Sequence, residues 1–158
     1  TLAQVQVDRN FKAIVVRSES GLDELTTEGI TRVWDATTSQ VREYEFDAAK
    51  LNVVPASLAD LRGGDANENA QVVRDILSGR QDGRYAAIRD VVALNAAAAL
   101  VVFDSTQSAH RYGSPELDFD VRIARALKDA YESIDNGSAA TSLTVLMSVS
   151  QRLALSAL

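Results

Sequence analysis

The chain has 158 residues, 46% of them hydrophobic and 24% charged, and this balance is typical of a globular domain with a packed core. Sixteen basic and 22 acidic side chains leave a net charge of −6, which disfavours a nucleic-acid partner. The absence of cysteine excludes disulfides, thiolate metal sites and a cysteine nucleophile, so we expect a cytoplasmic protein. The longest apolar stretch, Val91–Phe103, is shorter than the roughly 20 residues that span a bilayer, so we expect no membrane partner.

The first third of the chain predicts one short helix and three strands. Leu2 to Asn10 has helical apolar spacing but no capping residue in front of it. The continuous apolar run Ala13–Val16 is typical of a central strand buried on both faces of a parallel sheet. Alternating residues in Arg32–Asp35 and Val41–Phe46 predict an antiparallel hairpin. Three strands form a thin sheet, so the sequence predicts an α/β fold with an incomplete mixed sheet and flanking helices.

The rest of the chain predicts helices joined by one long loop. The helices are expected after Gly63-Gly64-Asp65 as far as Ser78-Gly79, over Tyr85–Phe103, over Val121–Ile134 with an end at Asn136-Gly137, and over Leu143–Leu158. The segment Asp104–Pro115 has loop composition and is expected to be a mobile insertion. The helix over Tyr85–Phe103 is apolar on almost every side, so we expect it to be buried.

Two adjacent carboxylates, Asp23 and Glu24, follow the first predicted strand. Ligands of open α/β sheets bind at the carboxyl ends of the strands, and paired carboxylates can hold a hydrated Mg²⁺. Spacing alone favours a solvated acidic pair near a helix or turn start, where negative charge is mildly favourable. The spacing of the residues leaves both interpretations open.

Three further features suggest chemistry but have simpler structural explanations. His110 is the only histidine, so no histidine pair for zinc exists, and we expect a solvated loop residue. The pair Gly63-Gly64 could hold an anion at a helix start, but Asp65 and Glu68 have the spacing of a capping box that uses the same donors. Asn95 interrupts the apolar helix and is expected to be a buried amide bonded to nearby backbone.

Four stretches of the chain form a specific series of motifs when they are read as strings. They are Gly21–Thr27 (GLDELTT), Ser57–Ala70 (SLADLRGGDANENA), Arg89–Leu100 (RDVVALNAAAAL) and Ala130–Ala140 (AYESIDNGSAA). In this order and at about this spacing, they resemble the C-terminal half of anthranilate phosphoribosyltransferase. The resemblance covers Lys12 to about Leu146.

The resemblance implies a fold and an activity. It makes residues 1–158 the C-terminal portion of the α/β domain of phosphoribosyltransferase and nucleoside phosphorylase type, without the helical N-terminal domain and the first part of the α/β domain. The family transfers phosphoribosyl from phosphoribosyl pyrophosphate to anthranilate in tryptophan biosynthesis, and its Asp-Glu pair helps hold Mg²⁺. Asp23 and Glu24 inherit that role by position, and a homodimer through the missing helical domain is expected.

This chain departs from the family pattern in three respects. Arg17–Ser20 occupies the place of the family's His-Gly, and the loop from Asp104 to Phe119 is longer than the family's. The family's GTGGD loop and K-H-G-N stretch do not occur in this chain, so we expect the chain alone to be inactive. A non-catalytic α/β module and a pyrimidine nucleoside phosphorylase-like glycosyltransferase are the alternative interpretations.

Overall fold

The computed structural model describes residues 1–135. The predicted helix end at Asn136-Gly137 and the predicted helix over 143–158 lie outside the described residues. The elements in chain order are α1 (Leu2–Asp8), β1 (Ile14–Ser18), β2 (Ile30–Asp35), β3 (Arg42–Asp47), a 3-10 turn (Ala48–Leu51), α2 (Ala66–Leu77), α3 (Arg84–Asp104) and α4 (Phe119–Asp135). The α/β class and the three predicted helices α2, α3 and α4 are confirmed.

The three strands form one sheet in the order β1-β2-β3, and both pairings are antiparallel. The prediction that the first strand is central in a parallel sheet is wrong for the described residues, because β1 pairs only with β2 and lies at the sheet edge. Among residues 1–135 no parallel pair accompanies these strands, although a mixed sheet was expected. The expected burial on both faces is also wrong, because Ile14, Val15 and Val16 are only half-buried on this edge strand. A continuous apolar run does not determine the direction of the neighbouring strand.

The hairpin of β2 and β3 carries the sheet side of the core. Val33 of β2 lies opposite Tyr44 of β3, and Val33 and Phe46 are fully buried. Phe119 at the start of α4 packs edge-on against Phe46, with ring centroids 5.4 Å apart. Since side chains alternate between the two faces of a strand, Val33, Tyr44 and Phe46 share the face that α4 covers, as expected for a hairpin with one buried face.

Helix α3 is the central helix of the described fold and packs against α4. Its buried side chains include Ala93, Leu94, Ala97 and Val101. By length and apolar composition alone, this 21-residue helix could cross a membrane. A buried core helix has the same composition, and α3 contributes to the core cluster that also contains Phe119.

Two helix starts show how local side chains set the boundaries. The prediction that α1 has no cap is wrong, because the Thr1 hydroxyl accepts a hydrogen bond from the Gln4 N–H at 3.3 Å. The capping box of α2 is confirmed: Asp65 accepts from the Glu68 N–H at 3.0 Å, and Glu68 accepts from the Asp65 N–H at 3.0 Å.

The long loop between α3 and α4 is fastened to the fold, in contrast to the mobile insertion predicted for Asp104–Pro115. The buried Asp104 carboxylate accepts from the Arg111 N–H at 2.6 Å and from the Tyr112 N–H at 3.0 Å. The Tyr112 hydroxyl donates to Asp129 at 2.8 Å. The composition of this segment predicts irregular backbone. It does not reveal that Tyr112 bonds to Asp104, 8 residues before it, and to Asp129, 17 residues after it.

Candidate metal-binding site

The candidate site lies on the segment that joins β1 to β2, residues 19–29, which we call the acidic loop. The loop begins with a turn in which the Ser18 N–H donates to the Leu22 carbonyl at 3.0 Å, and Gly21 adopts a positive φ of 91°. Asp23 and Glu24 follow this turn, and both are exposed. The structure therefore places the predicted acidic pair just beyond the carboxyl end of a strand.

A cluster of buried hydroxyl groups fastens the acidic loop to the sheet. The Thr26 hydroxyl lies 3.2 Å from the Ser18 hydroxyl and 3.2 Å from the Thr31 hydroxyl, and it donates to the Glu28 carbonyl at 3.0 Å. The next residue, Thr27, accepts from the backbone N–H of the distant residue Ala56 at 3.0 Å. The sequence analysis missed these residues, although three hydroxyl side chains at strand ends were a visible signal.

The acidic loop is also hydrogen-bonded to α3, through Leu25. Leu25, which directly follows the acidic pair, is 1% exposed and belongs to the core. The Asn95 side chain accepts from the Leu25 N–H at 3.0 Å and donates to the Leu25 carbonyl at 2.8 Å. It also donates to the carbonyl of Val91 at 2.9 Å. The expected hydrogen bonds from Asn95 to backbone are confirmed, but the side chain is half-buried and not fully buried as predicted.

The neighbouring Asp23 affects the ionisation of Glu24. Partial withdrawal from water raises the pKa of Glu24, and the negative charge of Asp23 raises that pKa further. The charged form of Glu24 is therefore less favourable here than in water. A divalent cation held by the pair would oppose this effect, because it favours the charged form of a carboxylate.

Asp23 and Glu24 line part of a groove of about 580 Å³. The walls of the groove are mostly apolar and come from β1, α1 and α3, with Lys12 as its basic residue. The lining residues besides Asp23 and Glu24 are Leu2, Gln6, Lys12–Val16, Leu25, Asn95, Ala98, Ala99 and Val102. The groove thus brings the acidic loop, its anchor Asn95 and the edge strand β1 together.

The donor set fits a hard cation that keeps much of its water. Among residues 1–135, no group of three or more His, Cys, Asp or Glu side chains is arranged to hold a metal ion. Mg²⁺ commonly uses one or two carboxylates and completes its six ligands with water and phosphate oxygens. Asp23 and Glu24 supply two exposed carboxylates for such a site.

The glycine pair before α2 has a structural explanation in this fold. The Gly64 N–H donates to the Asn69 side chain at 2.9 Å, so this donor is already used. A Cβ at Gly63 would lie 2.6 Å from Asn69 Oδ1, and a Cβ at Gly64 would overlap Glu68 Oε2. A side chain at either glycine would have to displace the ends of Asn69 and Glu68, which bond this turn, and this supports the capping interpretation.

His110 takes no part in the acidic site. It is half-buried in the loop after α3, with a positive φ of 44°, and its Nδ1 lies 3.3 Å from the Asp104 carbonyl. The expectation of a fully solvated residue is therefore wrong, since the anchored loop partly covers the ring. Its contacts are those of a turn residue.

The sequence of this chain matches a known protein family. The model of the glycosyl transferase family, a/b domain, matches residues 1–140, and the chain belongs to this family. The similar curated proteins include anthranilate phosphoribosyltransferases from an Arthrobacter species, 44% identical over 142 residues, and from Salinispora arenicola, 46% identical over 144 residues. Each match covers 90% of this chain, and 37% and 36% of the respective relative.

Solved structures share the fold. Anthranilate phosphoribosyltransferase from Saccharomyces cerevisiae in complex with PRPP and Mg aligns with a TM-score of 0.62 at 22% identity, covering 85% of this chain and 34% of the yeast chain. The enzyme from Thermus thermophilus aligns with a TM-score of 0.61 at 23% identity, covering 90% and 36%. The chain therefore spans little more than a third of the length of the relatives that it matches.

Proposed function

We propose that this chain is part of an anthranilate phosphoribosyltransferase. The complete enzyme would transfer a phosphoribosyl group from phosphoribosyl pyrophosphate to the amino group of anthranilate and release pyrophosphate, in tryptophan biosynthesis. The observation that carries the proposal is the exposed pair Asp23 and Glu24 on an anchored loop, in a chain 44% and 46% identical to enzymes of that name.

The proposal assigns this chain to one portion of the enzyme. Residues 1–158 form the C-terminal portion of the α/β domain, and the helical domain and the first part of the α/β domain lie elsewhere in the complete protein. Anthranilate contacts and a homodimer interface belong to those other parts in this proposal. The complete enzyme is expected in the cytoplasm.

Asp23 and Glu24 would hold Mg²⁺ by their carboxylate oxygens, together with water and pyrophosphate oxygens. When bound, Mg²⁺ neutralises the negative charge that develops on the departing pyrophosphate. The protein contributes fixed positions, since the two residues after the pair, Leu25 and Thr26, are held by α3 and by the sheet. Prepositioned charge of this kind stabilises a transition state without reorganisation during the reaction. We assign no general base among these residues.

The test replaces both carboxylates in the complete enzyme by Asp23→Asn and Glu24→Gln, which remove charge but little volume. Turnover should fall at least about a hundredfold, and the Mg²⁺ dependence should move to higher concentration. The KM for anthranilate and the unfolding transition should change little. Glu28→Gln is the matched control, because Glu28 is an exposed acid on the same loop. Wild-type rates and an unchanged Mg²⁺ titration in the double variant would identify the pair as a solvated acidic turn.

A further inference from the structure

We infer that Asn95 is the positioning residue of the acidic pair: its side-chain amide fixes the peptide groups next to Glu24, so that both carboxylates face the groove in a geometry ready for a cation. This inference rests on the proposed function of Asp23 and Glu24. It concerns a residue 70 positions away along the chain from the backbone that it holds.

The hydrogen-bond partners of Asn95 define the orientation of its side-chain amide. Asn95 Oδ1 accepts from the Leu25 N–H, while its Nδ2 donates to the carbonyls of Leu25 and Val91. A flipped amide would direct its NH₂ group at the Leu25 N–H and its oxygen at two carbonyl oxygens, and all three contacts would become repulsive. The Asn95 side chain therefore bonds both the N–H and the carbonyl of Leu25 in a defined geometry.

The anchor is rigid because of its place on α3. Ala93, Leu94, Ala96 and Ala97 surround Asn95 in the sequence, and all four are buried. Leu25 itself is 1% exposed, so its peptide groups would be left without water if the amide were removed. The acidic residues Asp23 and Glu24 are exposed and depend on this neighbouring backbone for their placement.

The expected size of the effect follows from metal sites in general. Residues that orient metal ligands without touching the metal typically change metal affinity by about 10- to 100-fold when they are replaced. Asn95→Leu keeps the side-chain size but loses all three hydrogen bonds. In the complete enzyme, we expect this variant to need at least about tenfold more Mg²⁺ for half-saturation, as measured with phosphoribosyl pyrophosphate present.

A second readout does not depend on the metal or on turnover. Hydrogen exchange of the Leu25 N–H should become faster in Asn95→Leu without Mg²⁺, since its acceptor is gone. Asp104→Ala is the matched control. Asp104 also lies on α3 and accepts from loop N–H groups, those of Arg111 at 2.6 Å and Tyr112 at 3.0 Å, but that loop does not hold the acidic loop. It should leave the Mg²⁺ titration unchanged.

Asn95→Asp tests the same inference by pH and covers the case in which Asn95→Leu fails to fold. A protonated carboxyl group at this position can accept from the Leu25 N–H and donate to the Leu25 carbonyl, whereas an ionised one would face two carbonyl oxygens. The pKa of the introduced carboxyl group should therefore be raised, with anchoring present below that pKa and lost above it. Leu25 protection, relative to wild type at the same pH, should recover as the pH is lowered towards about 5.

The outcomes separate this inference from the proposed function. Faster Leu25 exchange together with a displaced Mg²⁺ titration in the Asn95 variants supports the inference. It is overturned if Leu25 exchanges faster while the Mg²⁺ titration stays at the wild-type value, or if Asp104→Ala displaces the titration equally. A double Asp23 and Glu24 variant that titrates like wild type contradicts the proposed function instead, whatever the Asn95 variants do.

Discussion

A fully buried ion pair between Asp35 of β2 and Arg122 of α4 predicts a large loss of stability when either partner is removed. Asp35 is 0% and Arg122 is 1% exposed. Arg122 donates to the Asp35 carboxylate and, at 3.1 Å, to the Thr37 hydroxyl. Asp35 also accepts from the Thr37 N–H at 2.8 Å and from Arg42 at 3.1 Å. The pair joins the central strand to the helix that covers the core.

The remaining hydrogen bonds predict which of the two single replacements loses more stability. Breaking a buried pair costs about 3–5 kcal/mol, because the remaining charge is left without compensation. After Arg122→Met, the Asp35 carboxylate keeps Thr37 and Arg42 as donors, which places the loss near the lower value, about 3 kcal/mol. After Asp35→Asn, Arg122 loses the only carboxylate bonded to it among the described residues, which places the loss near the upper value, about 5 kcal/mol.

The assay is thermal unfolding of the 158-residue chain, followed by circular dichroism. A loss of about 3 kcal/mol corresponds to a fall in Tm of roughly 6–12 °C for a chain of this size. The Asp35→Asn, Arg122→Met double variant should lose less than the sum of the single losses, because the partners interact directly. Arg32→Met is the matched control on β2, since it removes only the exposed Arg32–Glu43 bridge, worth about 0–1 kcal/mol. Equal losses in Arg122→Met and Arg32→Met would refute the argument.

Two further predictions concern the capped glycine turn and the chain in isolation. Asp65→Ala should lower the stability of the complete enzyme by about 1 kcal/mol through loss of the α2 cap, with the KM for phosphoribosyl pyrophosphate unchanged; a large rise in that KM without a change in melting would identify a phosphate site. The 158-residue chain, mixed with anthranilate, phosphoribosyl pyrophosphate and Mg²⁺, should give no fluorescence change from phosphoribosylanthranilate, because it spans 37% of the length of a similar enzyme. Clear turnover by the chain alone would contradict the assignment of substrate contacts to other parts of the protein.

Features that depend on neighbours in the sequence were predictable. The hairpin follows from alternation over Arg32–Asp35 and Val41–Phe46, and the α2 start follows from Asp65 and Glu68, three residues apart. The place of Asp23 and Glu24 after a strand follows from the short apolar run that precedes them. In each case the forces that determine the structure act within one turn of helix or one pair of strands.

Features that depend on distant partners could not be predicted in the same way. Arg122 lies in a helical pattern between two apolar neighbours, and nothing in that pattern indicates a carboxylate 87 residues earlier in the chain. The pairing of β1 also depends on which strand reaches its edge, and the apolar run Ala13–Val16 is compatible with either direction. Sequence periodicity identifies which face of an element is buried, whereas the identity of the partner is a property of the folded chain.

Two polar residues of α3, Asp90 and Asn95, show how much the sequence predicts about contacts with distant segments. An apolar helix gains nothing by burying a carboxylate or an amide unless a partner compensates for the lost water. Asp90 and Asn95 each find that partner in the backbone of a loop, at Val54 and at Leu25. A polar residue inside an otherwise apolar helix therefore predicts a backbone contact with a distant segment, even though the sequence does not name the segment. In this fold one of the two segments carries the acidic pair, so the packing of α3 and the geometry of the candidate site depend on each other.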